Sequence, residues 1–143
     1  TYEGRINRAK NASEKSVQDR KELDTFFKQL ALTLNQNGIS LLAGSDSGAF
    51  NSFTYPGISL HKEMEAMVEA GISPLDALRA SAYNGAKFLK KDSDYGSLQT
   101  GKLADIVILN QNPLENIQNT RDIFMVLKNG NSYTQEDLYN LLQ

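Results

Sequence analysis

The sequence predicts an α/β protein, and three observations support this prediction. Apolar residues recur every three or four positions over residues 13–35, which is typical of an amphipathic helix. Gly38 then provides a helix stop, and the apolar run Ile-Ser-Leu-Leu-Ala at residues 39–43 lies between two glycines, as expected for a strand buried on both faces. Beyond residue 92 the pattern changes to turns and short β-like runs.

Two further helical segments are predicted before that change. Residues 60–68 carry a helical stripe that ends at a glycine, and Met64 and Met67 within it are expected in the core or in an interface. Ser73, followed by a proline and three residues later by an aspartate, is typical of a helix N-cap. The apolar spacing extends this second helix towards residue 89.

The change of pattern near residue 92 predicts two modules, residues 1–91 and residues 92–143. The second module is expected to be mainly β, with a short helix at its end. Its predicted elements are β runs at residues 104–109 and 123–128, an Asn-Gly turn at residues 129–130, and a helix from Thr134 through Leu142.

Composition excludes several function classes. The 143 residues contain no cysteine and one histidine, so disulfide scaffolds, thiol catalysis and any two-histidine metal site within this chain are excluded. Fifteen Lys and Arg against 17 Asp and Glu give a net charge of -2, which predicts neither a nucleic-acid nor a membrane partner. No apolar run is long enough for a membrane span, and the balance is that of a soluble cytoplasmic or periplasmic protein.

Asp46, within Gly-Ser-Asp-Ser-Gly at residues 44–48, is the main candidate catalytic residue. Sites in parallel α/β folds form at the C-terminal ends of strands, so a carboxylate there can bind a metal or transfer a proton. A turn aspartate that caps local N–H groups fits the same spacing. A third alternative is a nucleophile elbow with Asp46 as nucleophile and His61 as base, but that motif needs an immediate helix, which residues 49–56 do not resemble.

His61 is the one imidazole of the chain and lies near the start of a predicted helix. A group that titrates near neutrality can contact substrate or carry a proton. An ordinary, partly exposed residue of the first helical turn is the alternative. His61 cannot form a zinc site alone, because zinc takes three or four protein ligands.

Residues 96–102, Gly-Ser-Leu-Gln-Thr-Gly-Lys, match the spacing of a phosphate-binding loop as far as the lysine. Leu103 stands where such a loop has Ser or Thr, and the residues that follow are β-like rather than helical. A turn that leads into a strand is therefore the favoured interpretation.

Five segments in one order resemble the C-terminal part of the metal-dependent amidohydrolase superfamily, in its imidazolonepropionase-like and prolidase-like branch. They lie between residues 39 and 113. The segments are LLAGSDSG at residues 41–48, HKEME at residues 61–65, VEAGISPLDALRA at residues 68–80, NGAK at residues 84–87 and GSLQTGKLADIVIL at residues 96–109.

The resemblance implies the C-terminal fragment of a (β/α)₈ barrel, comprising its last strand and helices, plus short strands of an accessory β-sandwich. Residues 39–43 would be the last barrel strand. Asp46 would be the aspartate that binds the metal, most commonly zinc, and accepts the proton of the hydrolytic water. A substrate-binding role is implied for His61, whose His-x-Glu context occurs in related sequences.

The family's His-x-His pair, bridging lysine or carboxylate and later histidines do not occur in these 143 residues. A barrel takes about 250 residues. We therefore expect a fragment of a hydrolase of carbon–nitrogen bonds in small substrates, inactive alone, whose sequence continues upstream of Thr1. The alternative is a non-enzymatic module that binds a partner or forms a homo-oligomer through exposed barrel faces.

Overall fold

The computed structural model describes residues 2–48 and 53–141. This part of the chain contains helices in its first two thirds and a small sheet in its last third. The helices are α1 (Tyr2–Lys10), α2 (Glu14–Gln36), α3 (Ile58–Glu69), α4 (Pro74–Ser81), α5 (Tyr83–Phe88), a 3-10 helix (Ile117–Arg121) and α6 (Gln135–Asn140), and the strands are β1 (Ile106–Leu109), β2 (Ile123–Lys128) and β3 (Asn131–Thr134).

The long helix predicted over residues 13–35 is confirmed as α2. It begins where the Ser13 hydroxyl accepts a hydrogen bond from the Ser16 N–H at 3.2 Å, and it ends before Gly38, whose φ of +75° suits a glycine. Helix α1 was not predicted, because its polar sequence has no apolar stripe. None of its described side chains is buried.

Helix α4 begins as predicted, with the Ser73 hydroxyl accepting from the Asp76 N–H at 3.1 Å. The prediction of one helix continuing towards residue 89 is wrong. Ala82 has φ -131° and ψ -72°, which ends α4, and α5 starts at the next residue. The stretch that follows contains Asn and Gly and has a weak helical preference, so tertiary contacts of α5 rather than helix propensity decide where the helix breaks.

The core lies between α3, α4 and the 3-10 helix. Met64 and Met67 are buried there, as predicted, together with Ile72, Ala77, Ala80 and Ile117. Ala77 is completely buried. Small alanine side chains allow the helices to approach closely, and the flexible methionines fill the remaining gaps.

The sheet is antiparallel, in the order β1-β2-β3. The predicted turn at residues 129–130 joins β2 to β3, and Asn129 has the positive φ, +56°, that such a turn requires. The Asp105 carboxylate accepts from the Asn129 N–H at 2.8 Å and contacts the Lys128 ammonium, which holds the pKa of Asp105 below its usual range. These contacts fix the hairpin against the start of β1.

Helix α6 begins at a capping box, in which the Thr134 hydroxyl accepts from the Asp137 N–H and the Asp137 carboxylate accepts from the Thr134 N–H. The predicted start of the terminal helix is confirmed. Its predicted end at Leu142 lies outside the described residues.

The strand predicted over residues 39–43 is not formed. In the described part of the chain the only sheet is the antiparallel one, and it does not include this segment. A parallel strand needs neighbouring strands for its N–H and C=O groups, and here helices take their place. The Ala43 N–H donates to the Ala80 C=O at 3.0 Å.

The two predicted modules are in contact through α3 and the 3-10 helix. Ile117 belongs to the same buried cluster as the residues of α3 and α4, and the Glu65 carboxylate lies 2.7 Å from the Arg121 guanidinium. The boundary near residue 92 stays a prediction, but the core described here crosses it. Within residues 2–48 and 53–141, no helix combines the length and apolar character that a bilayer span requires.

Candidate functional site

Asp46 follows an extended segment that lies against the helices. Side chains at odd positions from Leu41 to Ser47 are half-buried, and those at even positions from Leu42 to Gly48 are exposed. This alternation is the pattern of a strand with one covered and one open face. Leu41 and Ala43 pack against the buried cluster, which places Asp46 on the open face.

The backbone at Asp46 turns sharply. Its φ of +49° is in the left-handed region, which aspartate and asparagine tolerate better than most residues. The Thr54 hydroxyl donates to the Asp46 C=O at 3.5 Å, and the hydroxyls of Ser45 and Ser47 lie 2.7 Å apart. An exposed carboxylate in this position can bind a cation or accept a proton, and the same geometry suits a turn aspartate.

His61 lies in the first half of α3 and contacts the 3-10 helix. The Thr120 hydroxyl has one hydrogen, which it donates to the Ile117 C=O at 2.8 Å. His61 Nδ1 is 2.9 Å from the same oxygen, and both hydrogen bonds are made at once when Nδ1 carries a hydrogen and donates it to Thr120. In the neutral ring Nε2 is then a hydrogen-bond acceptor.

The surroundings of His61 favour its neutral form. Partial burial, and then the Arg121 guanidinium, lower the pKa of His61, while the Glu65 carboxylate acts in the opposite direction. Burial also raises the pKa of Glu63, which lies on the same helix. Neither residue is therefore an ordinary solvated surface group.

An open cleft of about 890 Å³ lies between α3, α5 and β1. His61 and Thr120 line it, and apolar side chains such as Met64, Ala86 and Ile106 form most of its wall. Asp46 is not one of the described lining residues. Of the two residues that the sequence predicts for the site, His61 is thus the one that the described residues place in the wall of this cleft.

The described residues do not fit a complete metal centre. No three His, Cys, Asp or Glu side chains of residues 2–48 and 53–141 gather closely enough to hold an ion. Asp46 has the ligand chemistry for one position of such a centre. A complete centre at Asp46 would need further ligands from outside this described set.

Two further motifs were considered in the sequence, a nucleophile elbow at residues 44–48 and a phosphate-binding loop at residues 96–102, and both segments form turns. No helix begins in residues 44–48 or 53–57, so the described residues lack the strand–turn–helix geometry of a nucleophile elbow. Residues 96–102 lead to β1 rather than to a helix. The Lys102 ammonium donates to the C=O of Asp92 and to the Ser97 hydroxyl, so it is bound within its own loop.

Comparison with known proteins identifies the family of this chain. The profile described as the amidohydrolase family matches residues 7–133. The chain belongs to the amidohydrolase family. The α/β character of the fold agrees with this membership, and the resemblance found in the five motifs is confirmed.

Individual amidohydrolase relatives are much longer than this chain. Imidazolonepropionase of Symbiobacterium thermophilum (strain DSM 24528 / JCM 14929 / IAM 14863 / T) is 43% identical over 44 residues, which are 31% of this chain and 10% of that protein. The structure of molinate hydrolase is 32% identical with a TM-score of 0.62, over 72% of this chain and 25% of that one. The structure of a Xaa-Pro dipeptidase with bound methionine is 28% identical with a TM-score of 0.66, over 75% and 25%.

This amidohydrolase chain therefore spans a tenth of the curated relative and a quarter of the two solved structures. Sequence reasoning missed two polar residues, Asn84 against the segment that carries Asp46 and Glu63 two positions after His61. Asn84 donates from its side chain to the Leu41 C=O at 2.9 Å, and only its place beside Gly85 in a family segment marked it. The His-x-Glu context was the one signal for Glu63.

Proposed function

We propose that this chain is the C-terminal part of a metal-dependent amidohydrolase that cleaves carbon–nitrogen bonds in amides, cyclic amides or dipeptides with a metal-activated water. The observation that carries the proposal is the position of Asp46. It follows an extended segment with helices on one face and open space on the other. A strand of a (β/α)₈ barrel has this environment, and active sites of barrels form at strand ends.

In this proposal, residues 39–43 are the last barrel strand, and neighbouring strands pair with the backbone groups of this segment that Asn84 and Ala80 do not hold. The exposed side chains of the segment, Leu42 and Asp46, then face the barrel interior, while Leu41 and Ala43 keep their helix contacts. The sheet β1-β2-β3 is part of the accessory β-sandwich.

Asp46 is proposed to hold the metal and to accept the proton of the attacking water, which it then passes to the leaving nitrogen. A zinc ion held there would lower the pKa of its bound water to about 7. The remaining ligands are proposed to lie upstream of Thr1. His61 is proposed to contact substrate through Nε2, the ring nitrogen that Thr120 leaves available as an acceptor.

Replacement of Asp46 by asparagine tests this proposal in the protein expressed with its upstream coding sequence. Asn keeps the shape and tolerates the positive φ, but it cannot accept the proton. We expect kcat to fall by about 10²- to 10⁴-fold, the usual contribution of a general acid–base group. Hydrolysis of a panel of small amides and dipeptides, including an Xaa-Pro dipeptide, measures it.

Asp19→Asn, an equally isosteric change on the exposed surface of α2, is the matched control and should leave kcat unchanged. The thermal stability of both variants should stay within about 0.5 kcal/mol of the unsubstituted protein. Near-normal turnover of Asp46→Asn would exclude Asp46 from the mechanism. An open reading frame that starts near Thr1, without an upstream His-x-His pair, would overturn the proposed fragment.

A second candidate function is a non-enzymatic module that forms a homo-oligomer. The observation in its favour is the apolar face of α2, where Leu23, Phe26, Phe27 and Leu30 recur at helical spacing and are exposed. An apolar stripe of this kind is usually covered by a partner. The oligomeric state of the 143-residue chain tests this candidate.

A further inference from the structure

The segment that carries Asp46 is tied to the helices at two points on one edge. The Leu41 C=O accepts from the Asn84 side-chain amide at 2.9 Å, and the Ala43 N–H donates to the Ala80 C=O at 3.0 Å. In an extended chain, the C=O of one residue and the N–H of the second residue after it point to the same side. Both bonds therefore hold the same edge of the segment.

The two residues that hold this edge, Ala80 and Asn84, belong to the packed helices. Ala80 is buried in the core cluster, and Asn84 is a half-buried residue of the first turn of α5. The break at Ala82, with φ -131° and ψ -72°, separates α5 from α4. The break is thus what allows Asn84 to leave the helical path of α4 and to reach Leu41.

We propose that Asn84 is a positioning residue for Asp46, an inference that rests on the proposed function of Asp46. Two fixed points set the direction of the segment, so without the Asn84 bond the segment can pivot about the Ala43–Ala80 bond. Asp46 is three residues beyond Ala43, about 10 Å along an extended chain at roughly 3.3 Å per residue, and a swing of about 10° would move it by about 2 Å. A displacement of about 1 Å from a productive geometry can reduce turnover by about a hundredfold.

The test variants follow from the donor and acceptor groups of the hydrogen bond between Asn84 and Leu41. Asn84→Asp has the same shape but places a carboxylate oxygen against the Leu41 C=O, where both groups are acceptors. Asn84→Gln keeps the amide donor on a longer side chain and serves as the conservative rescue. Asn119→Ala is the matched control, because the Asn119 amide donates to the Asn112 C=O at the same 2.9 Å but outside this segment.

The kinetic experiment uses the protein expressed with its upstream coding sequence. We expect Asn84→Asp to lower kcat by about 10- to 100-fold while KM changes less than about twofold, because proton transfer rather than binding depends on the position of Asp46. Asn84→Gln should recover part of kcat, and Asn119→Ala should not change it. A kcat for Asn84→Asp equal to that of the control, or a KM that rises as kcat falls, would overturn the inference.

Hydrogen exchange on the 143-residue chain gives a second readout that does not depend on activity. Amides of residues 41–47 should exchange faster in Asn84→Asp than in Asn119→Ala, at similar melting temperatures. Unchanged exchange overturns the role of Asn84 whether or not the protein is an enzyme. If the unsubstituted protein hydrolyses none of the substrates but exchange is faster in Asn84→Asp, the proposed function is overturned. The role of the Asn84–Leu41 hydrogen bond in holding the segment is then still supported.

Discussion

At the residue scale, His61 shows how a single contact defines the state of a titratable group. When the Thr120 hydroxyl donates its hydrogen to the Ile117 C=O, it accepts a hydrogen bond from His61 Nδ1. Burial and Arg121 then disfavour a second proton on the ring, which lowers the pKa of His61. The sequence predicted an imidazole near a helix start, but the tautomer depends on a residue 59 positions away.

The lowered pKa of His61 predicts a pH-dependent stability. As the pH falls below the ordinary histidine value of 6.5, the unfolded chain binds a proton before the folded chain does, so the free energy of unfolding decreases. His61→Asn keeps a donor near Nδ1 and has no such titration. Urea unfolding between about pH 8 and pH 5.5 should therefore show a decrease for the unsubstituted chain that is absent in the variant.

Since the chain has one histidine, this difference between the two profiles can be assigned to His61. Asn37→Ala, an exposed change at the end of α2, is the control and should retain the decrease towards acid pH. Parallel profiles for His61→Asn and the unsubstituted chain would show that the folded state does not lower the pKa of His61.

At the element scale, short-range signals predicted helix starts and turns, and long-range contacts decided where elements end. The caps at Ser73 and Thr134 are local, and both form as predicted, while Ser13 caps α2 without having been predicted to do so. The end of α4 at Ala82 is not local, because it depends on α5 packing through Ala86 and Asn84. The strand expected at residues 39–43 is missing for a similar reason, since a strand requires partners.

The loop before β1 packs on α5 through Gly96. A Cβ at this position would lie 2.8 Å from the Ala86 Cβ and 3.0 Å from the Tyr83 Cα, and the φ of Gly96 is +85°. Gly96→Ala should therefore destabilise the chain by about 2–4 kcal/mol, from positive-φ strain and overpacking together. Chemical denaturation measures this loss.

Gly101→Ala separates the two causes. Gly101 has a similar φ of +93° but nothing within 4 Å of the added Cβ, so only the conformational cost of about 1–2 kcal/mol should appear. Equal losses of unfolding free energy in the two variants would mean that the contact between the loop and α5 does not contribute to stability.

At the scale of the whole molecule, the chain leaves much apolar surface uncovered. Helix α2 has no buried described residue, and the core is built from alanines and methionines of the neighbouring helices. The face formed by Leu23, Phe26, Phe27 and Leu30 points away from that core. Either the rest of a barrel or a second copy of the chain can cover this face.

We expect the isolated 143-residue chain to self-associate through this face. Phe26 is 58% exposed, and Phe26→Lys should weaken association by about tenfold, as expected when an aromatic contact at an interface is removed. Phe124→Lys, at a phenylalanine of β2 that is 55% exposed, is the matched control and should have little effect. Sedimentation velocity over a concentration series measures both, and a monodisperse monomer for the unsubstituted chain would exclude self-association.

The sequence by itself determined the starts of α4 and α6, the β-hairpin, the methionines of the core and the family, because these depend on residues close together in the chain or on motifs in a fixed order. It also marked Asp46 and His61 as candidates. Only the tertiary structure decided that His61 lines the cleft while Asp46 is exposed at the end of its segment, that Thr120 contacts His61 Nδ1 and that Asn84 ties the Asp46 segment to α5. Each of these results depends on contacts between residues distant in sequence, which local patterns do not encode.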